Sequence, residues 1–310
     1  MALKESRPKE IGNTVFATEI RHVRSECVDQ EFRLIVGLPP PSPPGTKVPV
    51  VYALDGGAFA GLLIGFVRSL PSLYLPPVVV VAIGYPIESN RPFRNRDYTP
   101  THRASSDELI AKLGPILGGG QVEPVASGGA PAFLRFIEDE LKPFIEAEYS
   151  GDPADATITG LSLGGLFGAY ALFNKTSAFR RYHIVSPSLW WDDQLILKQE
   201  MAHAASSKEL NAKVFLSVGG LETNATMAKE RAKVAETTSP QVMAALDRLT
   251  AAQNFSAARD VIEQFGQQLA ARNYKGLELT THVFEGETHT SVYAPALSRG
   301  LRTLFGTYET

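Results

Sequence analysis

The sequence predicts an α/β fold with a mostly parallel central sheet, helices on both faces and an antiparallel hairpin at its N-terminal edge. Three observations predict it. Apolar runs of strand length alternate along the chain with longer stretches of helical period. The run Val78-Val79-Val80-Val81-Ala82-Ile83 is apolar on both faces, as a strand inside a covered parallel sheet must be. A β-branched segment, Thr157-Ile158-Thr159, enters a Gly-Ser-Gly turn and passes into a helical face of Leu166, Phe167, Tyr170, Ala171 and Phe173.

The elements follow in order. Thr14–Ser25 and Glu31–Leu38 alternate as two strands of a hairpin with a turn near Asp29-Gln30, and the prolines between Pro39 and Pro44 mark a stiff surface connection. Val48–Leu54 is an apolar strand ending in Asp55-Gly56-Gly57, followed by a helix over Gly61–Leu70 and the strand Pro77–Gly84. Pro131–Tyr149 carries one apolar helical stripe in which Pro143 introduces a kink. After the Gly-Ser-Gly turn come strands at Tyr182–Val185 and Lys213–Val218, helical patterns between Gln241 and Asn273, a strand at Leu277–Phe284 and a closing helix at Ser291–Phe305. The Gln241–Asn273 stretch is read as a cover for the sheet, with a homodimer contact as the second reading.

Composition narrows the function. At 310 residues and 44% hydrophobic content the chain can bury a large core, and no linker, repeat or low-complexity tract divides it, so a single domain over 1–310 is expected. A formal charge of −3 gives the surface no general attraction for nucleic acid or membranes. Cys27 is the only cysteine, which excludes an intrachain disulfide, and no Cys/His spacing suggests a metal. The N-terminus lacks the apolar core of a secretion signal and no run approaches membrane-spanning length, so a soluble cytoplasmic protein is expected.

The segment Gly160-Leu161-Ser162-Leu163-Gly164 has the form of a nucleophile elbow. In such a turn the serine Oγ projects from the end of a strand, and the next N–H, here that of Leu163, faces the developing oxyanion. The close approach of strand and helix requires small neighbours, which Gly160, Gly164 and Gly165 supply. A serine hydroxyl needs a histidine to take its proton and an acid to orient that histidine, and on an α/β-hydrolase scaffold the chain order is serine, acid, histidine. His289 lies just beyond the last strand, before the closing helix, and is the expected base; His203 falls in a helix and His282 within a strand. For the acid, Glu222 follows the strand Lys213–Val218 at the expected place, with Glu230, Glu285, Glu287 and a Ser–His dyad as alternatives. The second oxyanion donor is expected from Gly57, in the loop after the third strand.

Several words of the sequence resemble the "Putative esterase" family of α/β-hydrolases, which includes esterase D, the ferric enterobactin and bacillibactin esterases and the mycobacterial mycolyltransferases. They are Tyr52-Ala53-Leu54-Asp55-Gly56, Arg96-Asp97-Tyr98-Thr99-Pro100, Phe133 to Ile145, Gly160 to Gly165, Ser186-Pro187-Ser188-Leu189-Trp190-Trp191, and Gly286-Glu287-Thr288-His289-Thr290-Ser291. The resemblance spans most of the chain and leans toward the siderophore-esterase branch. It implies Ser162 as nucleophile, His289 as base and backbone donors at Gly57 and Leu163, and supports Glu222 less firmly because the acid varies in position.

Residues 88–130 form an unusually long connection, expected to be a binding loop or lid within the domain. Its Arg91, Arg94, Arg96, His102 and Arg103 offer charge-assisted hydrogen bonds to an anionic or oxygen-rich substrate, with Arg96 chosen as a substrate contact; a solvated, partly helical surface loop is the other reading. Trp190 and Trp191 are candidate pocket walls, one of which can instead pack in the core. These residues predict a serine carboxylic-ester hydrolase that acts on a small-molecule ester without metal or organic cofactor. A siderophore trilactone and a short-chain or aryl ester are both candidate substrates, and an acyltransferase or a non-catalytic binding protein on the same scaffold are the alternatives.

Overall fold

The computed structural model describes residues 17–43, 45–86, 91–113, 125–253 and 258–306. Its centre is an eight-stranded sheet formed by β1 (Thr18–Ser25), β2 (Gln30–Gly37), β3 (Val48–Ala53), β4 (Val79–Gly84), β5 (Gly151–Leu161), β6 (Arg181–Val185), β7 (Glu209–Gly219) and β8 (Lys275–Phe284). The strand order is β1-β2-β4-β3-β5-β6-β7-β8. β1 and β2 pair antiparallel at one edge, β2 joins β4 antiparallel, and every later pairing is parallel. This is the mostly parallel sheet with an N-terminal hairpin that the sequence predicts, an α/β-hydrolase fold.

Alternation along β3 and β4 builds two cores. Val50, Tyr52, Val79 and Val81 face one layer, which contains Phe32, Phe133, Phe136 and Phe167. Val51, Ala53, Val80 and Ala82 face the other, packed by Leu63 and Ile64 of α1 (Gly56–Ser69) and by Tyr293, Leu297 and Leu301 of α11 (Tyr293–Phe305). Both faces of these strands are covered, which explains their lack of polar positions. Each fully buried Leu or Phe contributes on the order of 1.5–3 kcal/mol to this arrangement.

Between β4 and β5 lie α2 (Arg91–Tyr98), α3 (Ala104–Leu113), α4 (Ala130–Arg135), a π-helical segment (Phe136–Leu141) and α5 (Lys142–Tyr149). The irregularity expected at Pro143 is this π segment, immediately upstream: proline has no N–H for the carbonyl one turn back, and Lys142 N–H reaches Ile137 O instead. The 88–130 connection thus contains two helices, while its residues 88–90 and 114–124 lie outside the described residues. α6 (Leu163–Asn174) follows the elbow and is buried from Leu163 through Leu172.

After β6 come α7 (Trp191–Ser206) and, beyond β7, α8 (Asn224–Ala235), α9 (Pro240–Gln253) and α10 (Ala258–Arg272). The pattern over Gln241–Asn273 therefore resolves into two helices, and Phe255 lies outside the described residues. α10 buries Ile262, Phe265 and Leu269 against the sheet, whereas α8 buries none of its residues. Among the described residues no helix is long and apolar enough to cross a membrane.

Candidate active site

The sheet's carboxyl edge gathers the predicted groups. β5 ends at Leu161 and α6 begins at Leu163, so Ser162 occupies the corner with φ 62° and ψ −119°. That backbone is strained for a non-glycine residue, as expected of a serine at a strand-to-helix elbow. The small neighbours are required: a Cβ on Gly160 would lie 2.5 Å from the Gly164 carbonyl, and one on Gly165 would lie 2.9 Å from Pro187 Cα. Ser162 N–H donates to Val185 O at 3.1 Å, tying the corner to β6.

β7 and β8 run parallel, and their ladder continues into the loops beyond them. Gly220 N–H donates to Phe284 O at 2.8 Å and Leu221 N–H to Glu287 O at 2.9 Å. This brings the loop of Glu222 against the loop of His289, and His289 Nδ1 lies 2.7 Å from Glu222 Oε2. The Glu222 side chain is 4% exposed and that of His289 35%. The other carboxyl oxygen of Glu222 accepts from Ser186 Oγ at 2.5 Å and from Gly219 N–H at 2.8 Å. Burial pushes the Glu222 carboxyl up, but the hydrogen bonds from His289, Ser186 and Gly219, with the charge of His289, outweigh it and hold the group below its ordinary value. Glu222 is thus an ionised acceptor facing an imidazole nitrogen. The other acid candidates are placed differently: Glu230 is exposed on α8, Glu285 pairs with Arg259 and Glu287 accepts from Ser291 Oγ.

Gly57 and Leu163 each sit in the first turn of a helix, α1 and α6. Helix geometry leaves the N–H groups of a first turn without intrahelical acceptors, and the macrodipole favours an anion there. Asp55 precedes α1 in a left-handed conformation, φ 57°. Its N–H donates to Tyr98 Oη at 3.0 Å, while its carboxylate takes two hydrogen bonds from Arg94.

Three of the arginines read as a substrate cluster have protein partners. Arg94 belongs to Asp55; Arg96 Nε donates to Asp97 at 2.6 Å, with its guanidinium 5.0 Å from the Phe93 ring; Arg103 lies 5.8 Å from the Trp191 ring. The side chain of Arg91 lies outside the described residues. Trp191 is 1% exposed and donates its indole N–H to Thr101 Oγ1 at 3.0 Å, so it packs in the core, while Trp190 is half-buried beside it. Three further side chains had no signal specific to them: Arg94 as the partner of Asp55, and Ser186 and Ser188, which touch Glu222 and Ser162. The Ser-Pro-Ser word stood out only as part of a resemblance.

A family model described as "Putative esterase" matches residues 25–304. The chain belongs to this esterase family. The ferri-bacillibactin esterase BesA of Bacillus subtilis is 31% identical over 299 residues, covering 93% of this chain and 90% of that protein. The siderophore enterobactin esterase of Emericella nidulans is 32% identical over 270 residues, with 84% and 83% covered. Among solved structures, the siderophore hydrolase EstA from Aspergillus nidulans superposes with a TM-score of 0.75 at 25% identity, covering 99% of this chain and all of that one. The BES protein from Bacillus cereus gives 0.72 at 28% identity, covering 96% and 98%. This esterase therefore shares both fold and chain length with carboxylic-ester hydrolases.

Proposed function

We propose that this esterase hydrolyses siderophore-type, oxygen-rich esters through an acyl-enzyme on Ser162. The observation that carries the reading is the 2.7 Å contact between His289 and Glu222 at the sheet edge where Ser162 occupies its strained elbow. Ser162 Oγ attacks the ester carbonyl as His289 takes its proton, and the N–H groups of Gly57 and Leu163 donate to the oxyanion. His289 passes the proton to the departing alkoxide. A water deprotonated by His289 then attacks the acyl carbon, Ser162 Oγ leaves, and the same proton returns to it. Glu222 fixes the imidazole orientation and stabilises its charged form. The substrate class is supported by the relatives named for bacillibactin and enterobactin, which align over 93% and 84% of this chain. Iron carried by such a substrate is cargo and takes no part in these steps.

Product analysis on a panel running from p-nitrophenyl esters to a catecholate trilactone tests the reading. Selective opening of the trilactone is expected. Turnover confined to small esters contradicts the substrate class, and ester exchange with an added alcohol in preference to hydrolysis identifies an acyltransferase.

A further inference from the structure

The two carboxyl oxygens of Glu222 are held in different ways. Oε2 faces His289 Nδ1 at 2.7 Å, while Oε1 accepts from Gly219 N–H at 2.8 Å and from Ser186 Oγ at 2.5 Å. The first of these donors is local: Glu222 N–H returns to Gly219 O at 3.1 Å, so residues 219–222 close a turn on themselves. The second comes from another part of the chain. Ser186 directly follows β6, is 2% exposed and is tied to β7 by its own N–H, which donates to Ser217 O at 2.7 Å. Its φ of 41° is left-handed, a conformation that is strained for a serine and open to glycine without strain. The backbone therefore gives no reason for a serine at this position. The hydroxyl does, because a hydrogen bond to an ionised acceptor is about twice as strong as one between neutral groups.

We propose that Ser186 is a positioning residue whose hydroxyl fixes the plane of the Glu222 carboxylate and, through it, the His289 imidazole, a role that rests on the reading of Ser162, His289 and Glu222 as a catalytic triad. The terminal torsion of a glutamate side chain is broad, so rotamer preference alone does not orient its carboxyl group. The Gly219 N–H by itself leaves that group free to pivot about Oε1. A second donor, reaching the same oxygen from the neighbouring strand end, removes this freedom and leaves the lone pairs of Oε2 to His289. The Ser186 hydroxyl has one proton, gives it to Oε1 and exchanges none with the substrate. Its effect on turnover therefore passes through Glu222. Acylation and deacylation use the same imidazole, so both depend on Ser186 alike.

Steady-state kinetics, on the ester of that panel which wild type turns over fastest, and thermal melts test the role. Ser186→Ala and Ser186→Gly both remove the hydroxyl, but only glycine relieves the strained backbone. Ser186→Gly is expected to melt above Ser186→Ala, while both lose about 10-fold in kcat with KM within about twofold of wild type. In a Glu222→Ala background, where the carboxylate is gone, adding Ser186→Gly is expected to change kcat by less than about twofold, the coupling that a residue acting through Glu222 must show. A kcat that follows the melting temperature, with Ser186→Gly restored to the wild-type rate, overturns the inference. So does wild-type kcat in both variants, or a loss of about 10-fold that persists in the Glu222→Ala background. Should Ser186→Ala fail to fold, Ser186→Gly and its pairing with Glu222→Ala decide the matter. Glu222→Ala alone distinguishes the two claims: an undiminished kcat overturns the triad reading and the inference with it, while a large loss beside a failed Ser186 expectation overturns the inference alone.

Discussion

Arg94 grips Asp55 with both arms of its guanidinium, Nε to Oδ1 at 2.6 Å and Nη2 to Oδ2 at 2.9 Å, and Nη2 also donates to Leu161 O at 3.3 Å. One cation thereby joins the loop before Gly57 to the residue before Ser162, so the two proposed oxyanion donors share a fixed strut. Burial opposes the charge on Arg94, but the Asp55 carboxylate more than restores it and holds the guanidinium protonated.

Arg94→Ala leaves the Asp55 carboxylate without its partner in a largely buried position. It is expected to lower stability by about 3 kcal/mol in urea unfolding and kcat/KM by about 100-fold. Arg94→Lys keeps the charge without the planar fork and is expected to retain more stability than activity.

Ester turnover is expected to vanish in Ser162→Ala and to fall by a similar factor in His289→Ala, with unchanged thermal melts. Glu222→Gln preserves the shape but donates where an acceptor is needed, so a loss in kcat of about 1,000-fold is expected, smaller than for the other two. Equal losses in all three, measured as kcat, would contradict a supporting role for Glu222 behind His289.

His183 gives a pH dependence of stability. It is buried, with Nδ1 2.8 Å from Thr159 Oγ1 and Nε2 3.0 Å from Ala296 O, and burial lowers its pKa to about 4, against a smaller opposing effect of the Ala296 carbonyl. With a folded pKa below the ordinary 6.5, the unfolded chain binds the proton first as pH falls. Stability is complete above pH 6.5 and declines between 6.5 and about 4, by roughly 3 kcal/mol from this residue. Urea midpoints across that window should fall for wild type and fall less steeply for His183→Asn.

Thr101 accepts from the Trp191 indole and donates to Asp192 Oδ2 at 2.8 Å, fastening the α2–α3 segment to the turn that starts α7. Trp191→Phe keeps one aromatic ring but removes the donor and the rest of the indole. A loss of about 2 kcal/mol in unfolding free energy is expected, together with faster proteolytic cleavage between α2 and α4.

What the sequence made legible was local. The elbow around Ser162 is written in five adjacent residues, and β4 in an unbroken apolar run, so both could be read without tertiary information. The pairing of Glu222 with His289 was legible at one remove, because each follows a strand in a fold whose order brings those two strand ends together. The roles of Arg94 and Trp191 were not. Arg94 meets Asp55 across 39 positions and Trp191 meets Thr101 across 90, and a charge or indole in a string does not reveal whether its partner is a substrate or another part of the chain. The left-handed run Asp192-Asp193-Gln194 was equally hidden, since none of these residues demands positive φ.

The most direct test of the central claim is intact-mass analysis of wild type and Ser162→Ala, quenched during turnover of a catecholate trilactone. The account predicts a transient acyl adduct that maps to Ser162 in wild type, with neither adduct nor turnover in the variant. Trilactone hydrolysis at an undiminished rate by Ser162→Ala would contradict it.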